Sequence, residues 1–209
     1  MPRNTGVSSR KTPRQARSNE LVAAVLDAAI QVLEAEGAQR FTTARVAERA
    51  GVSVGSLYQY FPNKAAILFR LQSDEWRRTS ALLRDILEDR ARPPGARLRA
   101  LVHAFIRSEC EEAAIRIALN DAAPFYREAP EAAEARAESA QIVQHFLRES
   151  APRRTDAERR LAGDVMKAAL SAAGSTFSAL PRTAQEIHGY AEAVADMLCA
   201  YLALLESAD

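Results

Sequence analysis

Apolar residues return every three or four positions along almost the whole chain, the spacing that places side chains on one face of a helix. Leu21, Val25, Ala28, Ala29 and Val32 form the first such stripe and predict a helix over residues 18–36, capped by Ser18 or Asn19 and ended by Gly37. A denser pattern follows in residues 41–68, FTTARVAERAGVSVGSLYQYFPNKAAIL. Thr42 can cap a short helix whose apolar face is Val46, Ala47 and Ala50, and Gly51 suits a left-handed C-cap. Ser53 can cap a second helix over residues 54–60, with Leu57 and Phe61 turned inward four positions apart. Pro62 stops that helix and Asn63 can cap the next. A short helix, a glycine turn and a second short helix are the grammar of a helix-turn-helix unit.

The next helix is predicted over residues 63–90, without internal Gly or Pro. Leu68, Leu71, Leu82 and Ile86 share one face of it, and Gln72, Glu75 and Thr79 fall on that face with Trp76 beside them. Polar groups on a core stripe need partners, so they face a cavity, a neighbouring helix or solvent. The run ARPPGAR, residues 91–97, breaks the pattern. Leu98, Leu101, Val102, Phe105 and Ile106 then define a helix with His103 at its margin and Glu109 on its apolar face. Residues 115–119 continue helically, Pro124 and Pro130 bracket a turn containing Phe125 and Tyr126, and residues 131–149 form an Ala-rich helix. Two helices close the chain, residues 156–180 and 183–207. The first is apolar on two sides: Leu161, Val165, Ala168, Ala172 and Thr176 on one, Met166, Leu170, Ala173 and Phe177 on the other. The last carries Ile187, Ala191, Val194, Leu198, Tyr201, Leu202 and Leu205. A helix apolar on two sides is buried on two sides, at the centre of one chain or against a second copy.

Composition narrows the class. The 209 residues are 48% hydrophobic and 26% charged, with only 8 Gly and 9 Pro. Ala, Leu, Arg and Glu dominate, no run of alternating β-branched residues predicts a strand, and the expected fold is all-α. Residues 1–64 hold nine Lys and Arg against five Asp and Glu; the remainder holds 19 against 22. A basic first third suits a partner rich in phosphate. Residues 1–17 include Arg3, Arg10, Lys11, Arg14 and Arg17 without an acid and predict a flexible basic arm, either a solvated tail or one lying along DNA phosphates. Cys110 and Cys199 read as free thiols of a reducing cytoplasm, and no apolar run approaches a membrane span. No catalytic constellation emerges, so no enzyme is expected. His103, His145 and His188 include no i, i+4 pair with one another, and no metal site or cofactor is expected.

The string TTARVAERAGVSVGSLYQYFPNKAAIL resembles the DNA-binding region of the TetR family of bacterial transcriptional regulators. The likeness includes the Thr-Thr start, the Ala-Gly-Val-Ser turn, the Gly-Ser-Leu-Tyr-x-Tyr-Phe segment and Lys64 at the opening of the next helix. With the preceding helix it covers roughly residues 20–70; the remainder agrees with the family in length and helical character. The resemblance implies a helix-turn-helix domain over residues 18–64 and a ligand-binding and dimerisation domain over residues 65–209. It also implies that Thr43, Val54, Gly55, Ser56, Tyr58, Gln59, Tyr60 and Lys64 approach double-stranded DNA. Their chemistry agrees: Gln59 can read an adenine edge, Gly55 permits close backbone approach, and Thr43, Tyr58 and Tyr60 offer hydroxyls to phosphates. A small-molecule effector is expected against Gln72, Glu75, Trp76 and Thr79, with His103, Glu109, Asn120 and Phe177 as further lining. With Glu75 there, the effector should carry a donor or a positive charge. A homodimer is expected through Leu161, Val165, Ala168, Ala172, Thr176, Val194, Leu198 and Tyr201, built as a four-helix bundle. The implied function is that of a repressor released from a palindromic operator by its effector. The alternative is an architectural DNA-binding dimer that acts through protein partners without an inducer.

Overall fold

The computed structural model describes residues 13–122 and 130–207. Phe125, Tyr126 and the first twelve residues of the expected arm lie outside them. The described residues form nine helices and no strand. The chain divides into two compact units, Met1–Phe69 and Arg70–Asp209.

The first unit holds α1 (Pro13–Arg40), α2 (Thr43–Arg49), α3 (Val54–Tyr58) and the start of α4 (Lys64–Leu87). α1 begins at Pro13, inside the stretch expected to be a flexible arm. A proline fits a first helical turn because its missing N–H would have no intrahelical acceptor there. Gly37, at φ 73°, interrupts α1 near its predicted end, and a further helical stretch reaches Arg40. Three local caps set the other boundaries. The Arg45 N–H donates to Thr42 Oγ1 at 3.3 Å, the Ser56 N–H to Ser53 Oγ at 3.0 Å, and the Ala66 N–H to Asn63 Oδ1 at 2.9 Å. Gly51, at φ 67°, makes the turn between α2 and α3, a conformation disfavoured for a residue with a Cβ. Val25, Ala28, Ala29, Val32 and Leu33 of α1 are buried, as are Phe41, Val46, Ala47, Leu57, Phe61, Ile67 and Leu68. α3 is shorter than expected: Gln59 and Tyr60 form a turn in which the Tyr60 and Phe61 N–H groups both donate to the Leu57 carbonyl.

The second unit contains the rest of α4, α5 (Pro94–Glu111), α6 (Ala113–Ala122), α7 (Pro130–Ser150), α8 (Asp156–Phe177) and α9 (Ala184–Ser207). α5 packs along α9 and α8, and α7 packs on α8. Its core joins Leu87, Leu98, Leu101, Val102, Ile106, Ile142, Phe146, Leu147, Met166, Val194, Leu198 and Leu202. Thr155 and Glu158 form a capping box at the start of α8, and their reciprocal hydrogen bonds satisfy two of the free N–H groups there. The predicted break at residues 91–97 is already helical from Pro94, and its last residue is the most deeply buried charge in the described chain. Arg97 is 1% exposed; its Nη1 donates to the Leu87 carbonyl at 2.7 Å and its Nη2 to Glu149 Oε1 at 2.6 Å. Its guanidinium also lies 5.3 Å from the centre of the Phe146 ring. One side chain thus ties the end of α4 to α5 and α7.

Candidate nucleic-acid interface and cavity

In the helix-turn-helix, Leu57 and Phe61 are buried, which leaves the rest of α3 and the following turn facing outward. Val54, Gly55, Tyr58, Gln59, Tyr60 and Lys64 are exposed; Ser56 and Thr43 are half-buried. Val54 at 40%, Tyr58 at 49% and Tyr60 at 38% are large residues left uncovered on a very short element. The Tyr58 hydroxyl lies 3.2 Å from Thr43 Oγ1, which joins the start of α2 to the end of α3. Ser56 Oγ lies 2.8 Å from the capping Ser53 Oγ. A Cβ built on Gly55 would meet only Ser53 Oγ, at 3.8 Å, and the residue lacks a positive φ. Nothing inside the fold therefore requires a glycine at this position.

The second unit encloses a cavity of ≈ 340 Å³. Its wall comes from α4, α5, α7, α8 and Leu198 of α9, and it is mostly apolar: Leu82, Leu83, Leu101, Phe105, Val143, Met166 and Leu170. Thr79, Ser139 and Gln144 supply neutral polar atoms, and the exposed Arg136, Asp164 and Lys167 supply charges. This volume lies within the range of small-molecule sites, and such sites combine an apolar wall with a few polar groups.

Only Trp76 and Thr79 of the eight expected effector residues line this cavity. Glu75 is buried, but its carboxylate accepts from Arg78 Nη2 at 2.8 Å, Thr79 Oγ1 at 3.3 Å and Arg116 Nη2 at 3.1 Å. Glu109 is buried on the same cluster, with Arg116 Nη1 2.9 Å from Oε1. Burial pushes the Glu109 carboxyl above the usual carboxylate range, opposed by the neighbouring Arg116. Gln72 is half-buried and Asn120 exposed, both away from the cavity wall. Phe177 stacks on Tyr190 with ring centres 4.0 Å apart and carries the Arg182 guanidinium 4.5 Å above it. His103 turns toward α9. Arg116 of α6 lies between the two carboxylates, 3.1 Å from Glu75 and 2.9 Å from Glu109.

The expected dimer residues separate into two groups. Leu161, 63% exposed, and Val165, 45%, lie on α8 with the exposed Ala168, Ala172 and Thr176. This line stands open in the single chain, although α8 and α9 touch elsewhere. Val194 and Leu198 are buried in the chain's own core, and Tyr201, half-buried, packs against it. The outward side of α9 is instead Ala193, Met197, Ala200 and Leu204, with Met197 52% and Leu204 65% exposed.

Comparison with known proteins places both units. Residues 25–71 match the model for bacterial regulatory proteins of the tetR family, and residues 93–205 match the model for the tetracyclin repressor-like C-terminal domain. The nucleoid occlusion factor SlmA of Vibrio campbellii is 52% identical over 42 residues, 20% of this chain and 21% of that protein. The chain therefore matches about a fifth of the length of that curated relative. Among solved structures, the fatty acid degradation regulator FadR of Bacillus halodurans is 18% identical, covers 91% of this chain and 97% of its own, and superposes with a TM-score of 0.66. FadR of Bacillus subtilis, solved in complex with stearoyl-CoA, is 16% identical, covers 85% and 97%, and gives 0.65. At these identities the structural likeness concerns the fold. No helix among the described residues is long and apolar enough to cross a membrane.

Proposed function

The chain belongs to the TetR family of bacterial regulatory proteins, and on that premise we propose that it is a homodimeric repressor whose cavity binds an apolar effector with an anionic end. The carrying observation is the cavity: a wall of Leu, Phe, Val and Met side chains with Arg136 and Lys167 against a single acid, Asp164, at its exposed residues. Neither Glu75 nor Glu109 reaches it, which removes the reason to expect a cationic effector. A long-chain acyl thioester of the kind found in the Bacillus subtilis FadR complex has this combination of parts. The test is thermal unfolding and DNA release with an acyl-CoA series, using free coenzyme A and a neutral alkane as controls. The acyl-CoA compounds should raise the melting temperature and release DNA, and Val143→Trp should abolish both by filling the cavity. Release that persists unchanged in Val143→Trp would place the effector elsewhere.

DNA binding through α3 is supported by the unused space at Gly55. Glycine inside a helix costs about 1 kcal/mol relative to alanine. Gly55→Ala should therefore leave stability equal or raise it by up to about 1 kcal/mol. If a DNA strand approaches that backbone, the same change should weaken binding to fragments selected by the parent protein. A melt and a DNA titration on one preparation decide this; unchanged affinity would move the contact off Gly55.

A second reading is a DNA-binding dimer that acts through a protein partner and has no inducer; what supports it is the 42-residue likeness to a protein named as a nucleoid occlusion factor. It predicts that no compound of the series shifts the melt and that bound sites are dispersed.

A further inference from the structure

His188 and Glu192 are four residues apart on α9 and so share one face of that helix. α5 packs along α9 and brings His103 against that face. One ligand atom from each of the three lies within 4.8 Å of the other two. His103 Nε2 is 3.0 Å from Glu192 Oε1, and the two imidazole rings have centres 5.3 Å apart. His103 Nε2 is buried, and despite its closeness to Glu192 it is not aligned for a hydrogen bond with any group of the chain. Its near neighbour is the Glu192 carboxylate, but the aligned hydrogen bond that such buried groups normally make is missing. The other oxygen of Glu192 is held by the Arg99 guanidinium, which also holds Asp196. That arrangement orients the carboxylate and leaves Oε1 directed toward the imidazoles, as outer-shell groups do around bound metals.

We propose that His103, His188 and Glu192 bind a divalent transition-metal ion such as Zn²⁺, separately from the effector cavity. Two imidazoles and one carboxylate favour zinc, cobalt or nickel over calcium or magnesium, which take oxygen donors. Tetrahedral bonds of about 2.0–2.1 Å place donor atoms roughly 3.3 Å apart. The His103–Glu192 pair already meets that spacing. His188 is exposed and free to turn by the remaining ångström or so. Water completes the fourth position. None of the three side chains lines the cavity, so the metal is a second input that pins α5 to α9.

The experiment uses the full untagged chain, stripped with a chelator, and titrates Co²⁺ and Zn²⁺. One Co²⁺ per chain should bind with the visible absorption of a four-coordinate ion, Zn²⁺ should displace it, and the melting temperature should rise with Zn²⁺ concentration. His188→Ala, on the surface, should fold normally and lose more affinity than the roughly 10–100-fold that removal of an outer-shell partner costs. Arg99→Gln should fall in that 10–100-fold range. His145→Ala, on α7, should bind as the parent does. Absence of stoichiometric Co²⁺, or equal binding by parent and His188→Ala, would overturn the site.

Discussion

Arg97→Ala should be among the most damaging substitutions in this chain, lowering stability by about 3 kcal/mol. The change removes two charge-assisted hydrogen bonds, each of a kind worth about 1.5–3 kcal/mol, and leaves the Leu87 carbonyl buried without its donor. It also empties the volume of the largest fully buried side chain. Part of the cost is recovered because Glu149, 34% exposed, can rehydrate when its partner is gone. The pH dependence identifies the mechanism. The hydrogen bond from Arg97 holds the Glu149 carboxyl below the usual carboxylate range. A carboxyl depressed in the folded state contributes stability that is present above its unfolded value, about 4.3. That contribution disappears as pH falls through the lower folded value. The gap between parent and Arg97→Ala, measured by urea unfolding, should thus be full near neutrality and narrow below about pH 4. A gap independent of pH would mean that the ion pair adds nothing and Arg97 acts by volume and the carbonyl bond alone.

The features legible in the sequence were those set by neighbours in the chain. Thr42, Ser53 and Asn63 bond to N–H groups three residues ahead, and Gly51 supplies a backbone angle, so each announces its helix boundary without tertiary information. Arg97 was invisible because Pro94 and Gly95 read as a break, whereas proline is tolerated in a first helical turn. Glu75 pointed inward as its position on α4 required, but its partner Arg116 lies 41 residues away on α6. Leu83, Phe105, Val143 and Met166 gave no sign of a cavity, because an apolar side chain at helical spacing looks the same against a neighbour or a void. The cluster at His103 has no His–His spacing to mark it: His188 and Glu192 have the i, i+4 relation, and the third group comes from a different helix. In the sequence α9 is apolar over most of its circumference, so Val194 and Leu198 look no different from residues that face outward. Only packing against α5 and α8 separates its inner side from Met197 and Leu204.

That separation yields the second large effect. Ala172→Arg should leave the chain folded and convert the proposed dimer to monomer. Ala172 is exposed on α8, so an arginine there stays in water within a single chain and should change the melt of the isolated fold by little. In a bundle built from the outward sides of α8 and α9, the same side chain is forced between small and apolar residues. Leaving a charge buried without a partner costs on the order of 3–5 kcal/mol, a hundredfold or more in the dimer dissociation constant. Val194→Arg is the contrasting variant: it puts the charge into the core of its own chain and should unfold the second unit at any protein concentration. DNA binding should follow the dimer. Two identical recognition helices need half-sites about one helical turn apart, roughly 34–36 Å, or a multiple of it. A monomer retains one half-site's affinity and loses the preference for an inverted repeat. Sedimentation of Ala172→Arg at micromolar concentration, paired with a titration of one and two half-sites, measures both consequences. If that variant sediments as a tight dimer, α8 is not the interface, and the exposed line Leu161, Val165, Ala168 and Thr176 is open to another partner.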